Sequence, residues 1–396
     1  MTDFRKDIHT YKAMSLLLGI LMIALSACSL SERDIALAGR TPDDTGIYDL
    51  SEIGGSEDLC EPVFIDNSEG CWDQQVDAYT DCHYDSLFSR YGGGWTGADA
   101  TYSIKLPNGQ TAWLFGDTFL GTVNPDGTRP GGIPFINNSI VLTRGTSFNT
   151  LYGGTEEQPT AFVVPPEPDD WYWPHDPTIH DGKMQLLLAH MGRSGSGGMW
   201  DFHLESVDLA IISLPDFTIE SLEVRVPSDD IYWGAAIMED DDYTYIYGIE
   251  DENLNKFVHV ARVAGGDLRS PWEYYSGSGW EDQPTGHTIR DATSNQFSVF
   301  KNEDKYYLLT QAIIFGTELY LFESDTPVGP WGNRKTLYCT PETGGNIFTY
   351  NAFAHPEQSK ADDLFITYNV NSFEFGDVFT DVDNYRPRFI RVQNWK

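Results

Sequence analysis

Short apolar runs, rich in β-branched and aromatic residues, recur along the chain after residue 85 and are separated by Gly, Pro, Asn and Asp. No long segment of this region shows the 3.6-residue period of an amphipathic helix, so the pattern predicts strands and turns. Five of the runs are alike, and each follows a polar turn; they begin at Thr111, Lys183, Tyr243, Lys305 and Asp363. A shorter strand precedes each turn, so the repeating unit is a hairpin followed by one or two weaker strands.

The hairpins recur with a period of about 60 residues, which suits one four-stranded blade with modest loops. Their runs are apolar without strict alternation, which indicates strands covered on both faces, as when blades stack on one another. We therefore predict an all-β fold, a five-bladed β-propeller over residues 86–396. A double β-sandwich or a β-helix is the alternative architecture.

Residues 1–27 have the pattern of a bacterial signal peptide, because basic residues precede an apolar run that is too short to span a bilayer comfortably. The run ends in LSAC, which resembles a lipobox, where cleavage precedes a lipid-modified Cys. We predict lipidation of Cys28 and a membrane contact through this anchor only, at the outer membrane or cell surface of a bacterium. An ordinary secretory signal with a chance Cys is the alternative. Residues 28–56 are predicted to form a polar tether, and residues 57–85 a Cys-containing N-terminal segment.

Four cysteines remain besides Cys28, namely Cys60, Cys71, Cys82 and Cys339. They allow three pairings, and the sequence does not choose among them. We expect one disulfide to close the N-terminal segment and another to tie it to Cys339, with buried free thiols as the alternative. No CxxC pair or His/Cys cluster indicates zinc.

The formal net charge is -35, with 60 acidic and 25 basic residues. Long-range repulsion argues against nucleic acid and anionic polymers as partners, whereas a neutral polysaccharide or oligosaccharide is unaffected. Aromatic residues make up 14% of the chain, which suits stacking on the apolar faces of sugars as well as packing in a propeller core. No cofactor is predicted; a structural calcium ion in the channel is left open, although no EF-hand loop is present.

The innermost strands of a propeller line a central channel, so polar residues at their ends converge on one funnel. The residues that the repeats place there as candidates for substrate binding are Trp95, Asn137, Asn138, Trp173, His175, Asp176, Trp233, Glu250, Asn295, Gln311, Asn351, His355 and Asn369. The three tryptophans are candidates for stacking on sugars. Core packing for the tryptophans and ordinary structural hydrogen bonding for the histidines are the alternatives.

Asp99 and Asp117 are the candidates for catalysis. Asp99 lies where the first strand of the first blade begins, and Asp117 lies where the returning strand ends, so antiparallel pairing brings them together. Glycoside hydrolysis needs two carboxyl groups, one to donate a proton to the leaving oxygen and one to activate water or attack the sugar. Mutual repulsion would raise the pKa of one of them, which suits the acid. Roles in a turn and in a cap are the alternative for both residues.

The segment GGWTGADATYSIKLPNGQTAWLFGDTFLGTVNPDGTRP, followed by FINNSIV, resembles a bacterial family catalogued as domains of unknown function. The better-known relatives of that family are endo-D-arabinanases, which cut the D-arabinan of mycobacterial cell walls. Later segments, among them YNAFAHPE and YRPRFIRV, are similar to landmarks of the same group, so the resemblance covers residues 86–392.

The resemblance implies a five-bladed propeller that hydrolyses furanosidic bonds with Asp99 and Asp117 as acid and base. It leaves open which aspartate is which, and inversion is expected if the carboxyl groups lie ~6.5–9.5 Å apart. The family has Gly-Gly-Asp where this chain has Gly97-Ala98-Asp99, and the added methyl group is expected to narrow the site. Substrate does not transfer safely across so divergent a family.

Three functions follow from this reading. The first is a surface-anchored glycoside hydrolase, arabinanase-like, that acts on a furanose-containing polysaccharide. The second is a non-catalytic glycan-binding propeller, which has the same aromatic funnel but tolerates loss of either aspartate. The third is a platform for protein interactions, which would show an exposed apolar patch in place of a polar funnel.

Overall fold

The computed structural model describes residues 61–198, 200–227, 230–252, 255–313, 315–360 and 363–396. The predicted signal peptide, the predicted tether, Cys28 and Cys60 lie outside the described residues. Within these ranges, helices are short, and none combines the length and apolar character that crossing a membrane requires.

The first elements precede the blades: β1 (Val63–Ile65), β2 (Asp77–Thr80) and helix α1 (Cys82–Phe88). The Asp81 side chain caps α1 by accepting a hydrogen bond from the backbone N–H of Tyr84 at 3.0 Å.

The first blade has interrupted inner strands. Its innermost strand consists of β3 (Trp95–Ala98) and β4 (Tyr102–Lys105), and its second strand of β5 (Thr111–Phe115) and β6 (Thr118–Leu120). The outer strands and the following hairpin are β7 (Phe135–Ile136), β8 (Ser139–Arg144), β9 (Ser147–Leu151), β10 (Gly153–Gly154) and β11 (Pro159–Thr160).

The second and third blades are antiparallel sheets whose strands follow one another in sequence. The second blade contains β12 (Trp171–His180), β13 (Lys183–Gly192), β14 (His203–Ser213) and β15 (Ile219–Pro227). The third contains β16 (Ile231–Asp240), β17 (Tyr243–Glu252), β18 (Asn255–Ala264), β19 (Glu273–Tyr275), β20 (Trp280–Glu281) and β21 (Arg290–Asp291).

The fourth blade contains β22 (Ser298–Asn302), β23 (Lys305–Gln311), β24 (Glu318–Ser324) and β25 (Gly332–Cys339). The fifth contains β26 (Ile347–Ala354), β27 (Asp363–Ser372) and β28 (Pro387–Gln393). A 3₁₀ turn (Pro356–Gln358), helix α2 (Asp377–Thr380) and a second 3₁₀ turn (Val382–Tyr385) lie in its loops.

The N-terminal segment completes the fifth blade, because β2 pairs with β28 and β1 pairs with β2. A disulfide between Cys71 and Cys339 ties the same segment to β25 of the fourth blade, as expected. Cys82 is also disulfide-bonded. Two neighbouring blades are thus joined by residues from both ends of the described chain.

The predicted repeat is confirmed strand by strand. The five apolar runs are the second strands of the five blades, and the residues at which they begin are the first residues of β5, β13, β17, β23 and β27. The described strands therefore form a five-bladed β-propeller. A clustered apolar core lies between each pair of neighbouring blades, which explains why the strands are covered on both faces.

The innermost strands of four of the five blades are irregular. Register shifts occur in β12 between Pro174 and Pro177, in β16 between Trp233 and Ala236, and in β26 between Tyr350 and Phe353. In the first blade the corresponding break separates β3 from β4. Bulges of this kind re-aim side chains, and Asp99 and Tyr350 lie at two of these breaks.

Candidate active site

Asp99 and Asp117 meet at the break in the first blade, as the hairpin geometry predicted. The backbone N–H of Asp99 donates to the carbonyl of Asp117 at 3.3 Å, and the N–H of Gly116 donates to the carbonyl of Asp99 at 2.9 Å. Two residues thus oppose one, which is the pairing of a β-bulge. A side chain on Gly116 would come within 2.6 Å of Oδ1 of Asp99, so glycine is required there for the carboxyl group to fit.

The carboxyl group of Asp99 is held by the fifth blade. Its Oδ2 accepts hydrogen bonds from the hydroxyl groups of Tyr350 at 2.7 Å and Tyr385 at 3.1 Å. Burial, followed by the charge of Asp117, raises the pKa of Asp99 to about 7, although the two tyrosines favour the ionised form. Asp99 can therefore carry a proton near neutral pH.

The carboxyl group of Asp117 is held by residues of the first and second blades. Its Oδ1 accepts from the indole N–H of Trp173 and from the amide of Asn137, both at 3.0 Å. Burial raises the pKa of Asp117, while these two donors and the charge of Arg193 lower it. The two aspartates thus have different environments, which is the condition for one to act as an acid and the other as a base.

Two buried arginines support the strand that carries Asp99. Arg129 donates from Nη1 to the hydroxyl of Thr96 at 2.8 Å, and Arg386 donates from Nε to the carbonyl of Thr96 at 3.0 Å. Gly97 lies so close to them that an added Cβ would come within 2.3 Å of Arg129. No local pattern along the chain indicates these arginines, because they reach β3 from positions distant in sequence.

The expectation that the methyl group of Ala98 narrows the site is wrong. It is buried in the apolar cluster that contains Trp95, Trp113 and Phe115, so its methyl group packs in the core between the first and fifth blades.

Trp173 and Asn137 are the predicted binding residues that contact the aspartate pair, and Asn351 is next in sequence to Tyr350, which bonds Asp99. Trp173 and Asn137 are half-buried and bond Asp117 directly. Asn351 follows Tyr350 at the bulge of β26 and has a φ of 53°, a conformation that Asn tolerates better than most residues.

Two of the predicted sugar platforms are in the core instead. Trp95 is fully buried and packs against Phe88 and Phe115. Trp233 is 2% exposed and packs against Trp272 and Tyr274. Stacking of either indole on a substrate does not fit this burial, because aromatic residues of stacked blades fill the space between sheets.

Three predicted polar ligands are also buried, and their hydrogen bonds hold the fold together. Asn138 bonds Val163 and the carbonyl of Tyr172, and so links the first blade to the second. The amide of Gln311 donates to Gly316 and Thr349, and that of Asn369 donates to the hydroxyl of Thr101. With exposures of 3%, 1% and 0%, respectively, these side chains are not placed to contact a substrate.

The predicted histidines are buried and uncharged. Nδ1 of His175 lies 2.7 Å from the carbonyl of Trp233, and burial lowers its pKa to about 4. His355 lies between the hydroxyl groups of Ser103 and Thr367, at 2.6 and 2.7 Å, and burial lowers its pKa to about 3. The residues that bond His355 are not those that bond Asp99 and Asp117, so the structure does not bring His355 to the aspartate pair.

The remaining candidates lie on other parts of the channel. Asp176 accepts from the backbone N–H of Ile237 at 2.8 Å and joins the second and third blades. Oε2 of Glu250 lies 2.9 Å from Nε2 of His259, and the amide of Asn295 donates to Asp251 at 2.9 Å. The structure does not bring these three side chains to the aspartate pair.

The sequence reading missed Tyr350 and Tyr385, which hold Asp99. Tyr350 directly precedes the predicted Asn351, and an alignment of the interrupted innermost strands would have placed it beside the other candidates. Tyr385 stands at the start of the YRPRFIRV segment, whose similarity to the family was noted without a role for this residue.

One group of described residues has the composition of a metal site. Ligand atoms of Glu167, Asp170 and His190 lie within 4.8 Å of one another on the second blade. Nε2 of His190 is 3.1 Å from Oδ2 of Asp170, so a hydrogen bond between them accounts for their approach.

The family model described as "Domain of unknown function (DUF5005)" matches residues 81–395 of the chain. No curated protein matches this chain. A solved structure of a protein from Bacteroides ovatus, described as a candidate hydrolase, is 29% identical with a TM-score of 0.74; the alignment covers 84% of this chain and 94% of that one.

Weaker likenesses are found to two sugar-bound enzymes. The α-L-arabinofuranosidase of Podospora anserina in complex with cellotriose is 12% identical with a TM-score of 0.43, and covers 76% of this chain and 92% of that one. A GH43_1 enzyme of Xanthomonas citri in complex with xylotriose is 14% identical with a TM-score of 0.45, and covers 76% and 87%. At such scores neither activity transfers to this chain.

Proposed function

We propose that this chain, which belongs to the DUF5005 family, is a glycoside hydrolase that cleaves furanosidic bonds in a neutral polysaccharide, with D-arabinan as the first substrate to test. The observation that carries the proposal is the aspartate pair. Their backbones meet at the break in the first blade, and the hydrogen-bond donors to their carboxyl groups include residues of the fifth blade for Asp99 and of the second blade for Asp117. The description of the Bacteroides ovatus protein as a candidate hydrolase agrees with it.

Asp99 is the proposed general acid. Its pKa of about 7 keeps a proton available at neutral pH for the leaving oxygen of the glycosidic bond. Asp117 is the proposed general base. Burial raises its pKa, but Trp173, Asn137 and the charge of Arg193 oppose that rise and favour its ionised form. Bond cleavage then uses the proton of Asp99, and Asp117 takes a proton from the attacking water.

Inversion of the anomeric centre is the proposed stereochemical course. Tyr350 and Tyr385 draw the carboxyl group of Asp99 towards the fifth blade, whereas Trp173 draws that of Asp117 towards the second. Donors on different blades favour a separation of the two groups, and inversion requires ~6.5–9.5 Å between them so that a water molecule fits beside the sugar.

The test is incubation of the purified protein with D-arabinan, L-arabinan and inulin. We expect reducing ends to appear with at least one of these furanose polymers, and proton NMR to show the inverted anomer as the first product. Absence of hydrolysis on all three would contradict the proposed activity. A retained anomer would reassign Asp117 as a nucleophile.

We also propose that the protein is exported and held at the bacterial envelope by lipid on Cys28. Metabolic labelling with a radioactive fatty acid should mark the wild-type protein, and Cys28→Ala should abolish the label and release the protein from the membrane fraction. Full labelling of the Cys28→Ala variant would contradict the anchor.

A further inference from the structure

Exposed aromatic side chains gather around the aspartate pair. Among the described residues, Phe135, Trp200, Phe373 and Phe375 are between 40% and 55% exposed, which is unusual for rings of this size. Phe135 lies on β7 of the first blade, and the other three come from loops of the second and fifth blades. Together with the half-buried Phe315 of the fourth blade, we name these five residues the aromatic rim.

One side of the rim begins at Asp117. Trp173, which donates to Asp117, packs against Phe202 with ring centroids 5.0 Å apart, and Phe202 lies 6.2 Å from Trp200. The ring centroids of Trp200 and Phe315 lie 6.0 Å apart. A loop of the second blade thus contacts the fourth blade, and no aromatic ring of the third blade lies between them in this row.

The same row of rings continues to the fifth blade. The centroid of Phe315 lies 5.5 Å from that of Phe373 and 6.4 Å from that of Tyr350, which bonds Asp99. The row therefore starts at one aspartate and returns to the other. Phe315 has a φ of 58°, an unfavourable conformation for a bulky residue, which persists only where the surroundings impose it.

The other side of the rim lies beyond Asp99. Phe375 packs against Phe135 with centroids 5.6 Å apart, and Phe135 lies 6.2 Å from Tyr385, the second donor to Asp99. Both sides of the rim thus continue directly from the residues that hold the aspartates.

The chemistry of the rim suits a neutral sugar chain. Aromatic faces stack on the apolar faces of sugars, and a protein with a net charge of -35 disfavours polyanions. A row of several rings is longer than one sugar unit, so a single sugar at the aspartates would leave most of the rim uncovered.

We infer that the aromatic rim binds the sugar units on both sides of the bond that is cut, so that the site takes a neutral glycan of several units. The inference rests on the proposed function for its substrate class. Binding to the rim does not itself require hydrolysis, so the two can fail separately.

The experiment measures affinity in the Asp117→Asn background, where a bound polymer stays intact. Affinity electrophoresis with D-arabinan, L-arabinan and inulin identifies a polymer that retards the protein. The dimer and the hexamer of that polymer are then titrated by calorimetry into the Asp117→Asn protein, which is the parent. The same titrations are made with variants of this parent that also carry Trp200→Ala or Phe373→Ala. Phe64→Ala is the matched control, because Phe64 is 54% exposed on β1, the outermost strand of the fifth blade.

We expect Trp200→Ala and Phe373→Ala to weaken hexamer binding about tenfold, equivalent to roughly 1.4 kcal/mol. Dimer affinity should change much less, and Phe64→Ala should change neither. Equal hexamer affinity in parent and rim variants, or no retardation by any of the three polymers, would overturn the inference. If binding depends on the rim but the wild type does not hydrolyse the polymer, only the proposed activity is refuted. If the wild type hydrolyses the polymer but binding does not depend on the rim, only the inference about the rim is refuted.

Discussion

Replacing Asp117 by Asn should lower the rate of polysaccharide hydrolysis by roughly 10²–10⁴-fold, because an amide cannot take the proton of the attacking water. Asp99→Asn should cause a loss of the same order, since no proton is left for the leaving oxygen. Release of reducing ends at saturating substrate measures both. Asp126→Asn is the matched control, because it removes one charge from an exposed turn of the same blade. Near-normal rates in both aspartate variants would remove the pair from the mechanism.

The pH dependence of the wild type should be bell-shaped. Asp99 acts only while protonated, so the rate should fall as pH rises through about 7. Asp117 acts only while ionised, so the rate should fall at low pH, through a pKa that burial raises above its ordinary value. A basic limb that is absent, or that lies several pH units above 7, would contradict the assignment of Asp99 as the acid.

The stability of Asp99→Asn distinguishes lost chemistry from lost folding. The pKa of Asp99 is higher in the folded state than in the unfolded chain, so its stabilising contribution is lost as pH rises through about 7. The Asn variant avoids this ionisation and keeps an oxygen that can accept from Tyr350. It should therefore unfold at a higher denaturant concentration than the wild type at pH 8, with a smaller difference at pH 5.

Replacing both Cys71 and Cys339 by Ser should lower the free energy of unfolding by about 2–5 kcal/mol. The disulfide joins residues 268 positions apart, so without it the unfolded chain gains much conformational freedom. It also fixes the segment that leads into β2. There the backbone N–H of Asp73 donates to the carbonyl of Thr336, the N–H of Thr336 donates to the Asp73 carboxylate, and Trp72 packs on Tyr338.

Urea unfolding under oxidising conditions measures this effect. The Cys339→Ser variant alone should lose about as much stability as the double variant, because the bond is already absent. An unchanged midpoint in the double variant would show that strand pairing between β2 and β28 closes the ring without help from the disulfide.

Much of the fold could be predicted because it repeats. The second strand of each blade is covered on both faces, so its sequence is a continuous apolar run that is visible without structural information. The first strand is harder to recognise, because the bulge interrupts its pattern. For the same reason β3 and β4 are separate pieces around Asp99.

The funnel was predicted less well than the strands. Trp95 and Trp233 lie on innermost strands, as expected, but a strand has two faces, and at these positions the side chains point into the packed core. His175, His355, Asn138, Gln311 and Asn369 are polar, yet their partners are main-chain or hydroxyl groups of the protein itself. A polar residue in a strand pattern does not reveal whether its partner is the protein or a substrate.

The sequence by itself determined the number of blades, the starts of their second strands and the meeting of Asp99 with Asp117, because all three depend on local pairing across a short turn. Only the tertiary structure decided which groups surround the pair. Tyr350, Tyr385 and Trp173 come from blades other than the first, which carries the two aspartates. Trp200 of the second blade contacts Phe315 of the fourth blade. Such contacts depend on how the blades close into a ring, which no spacing along the chain records.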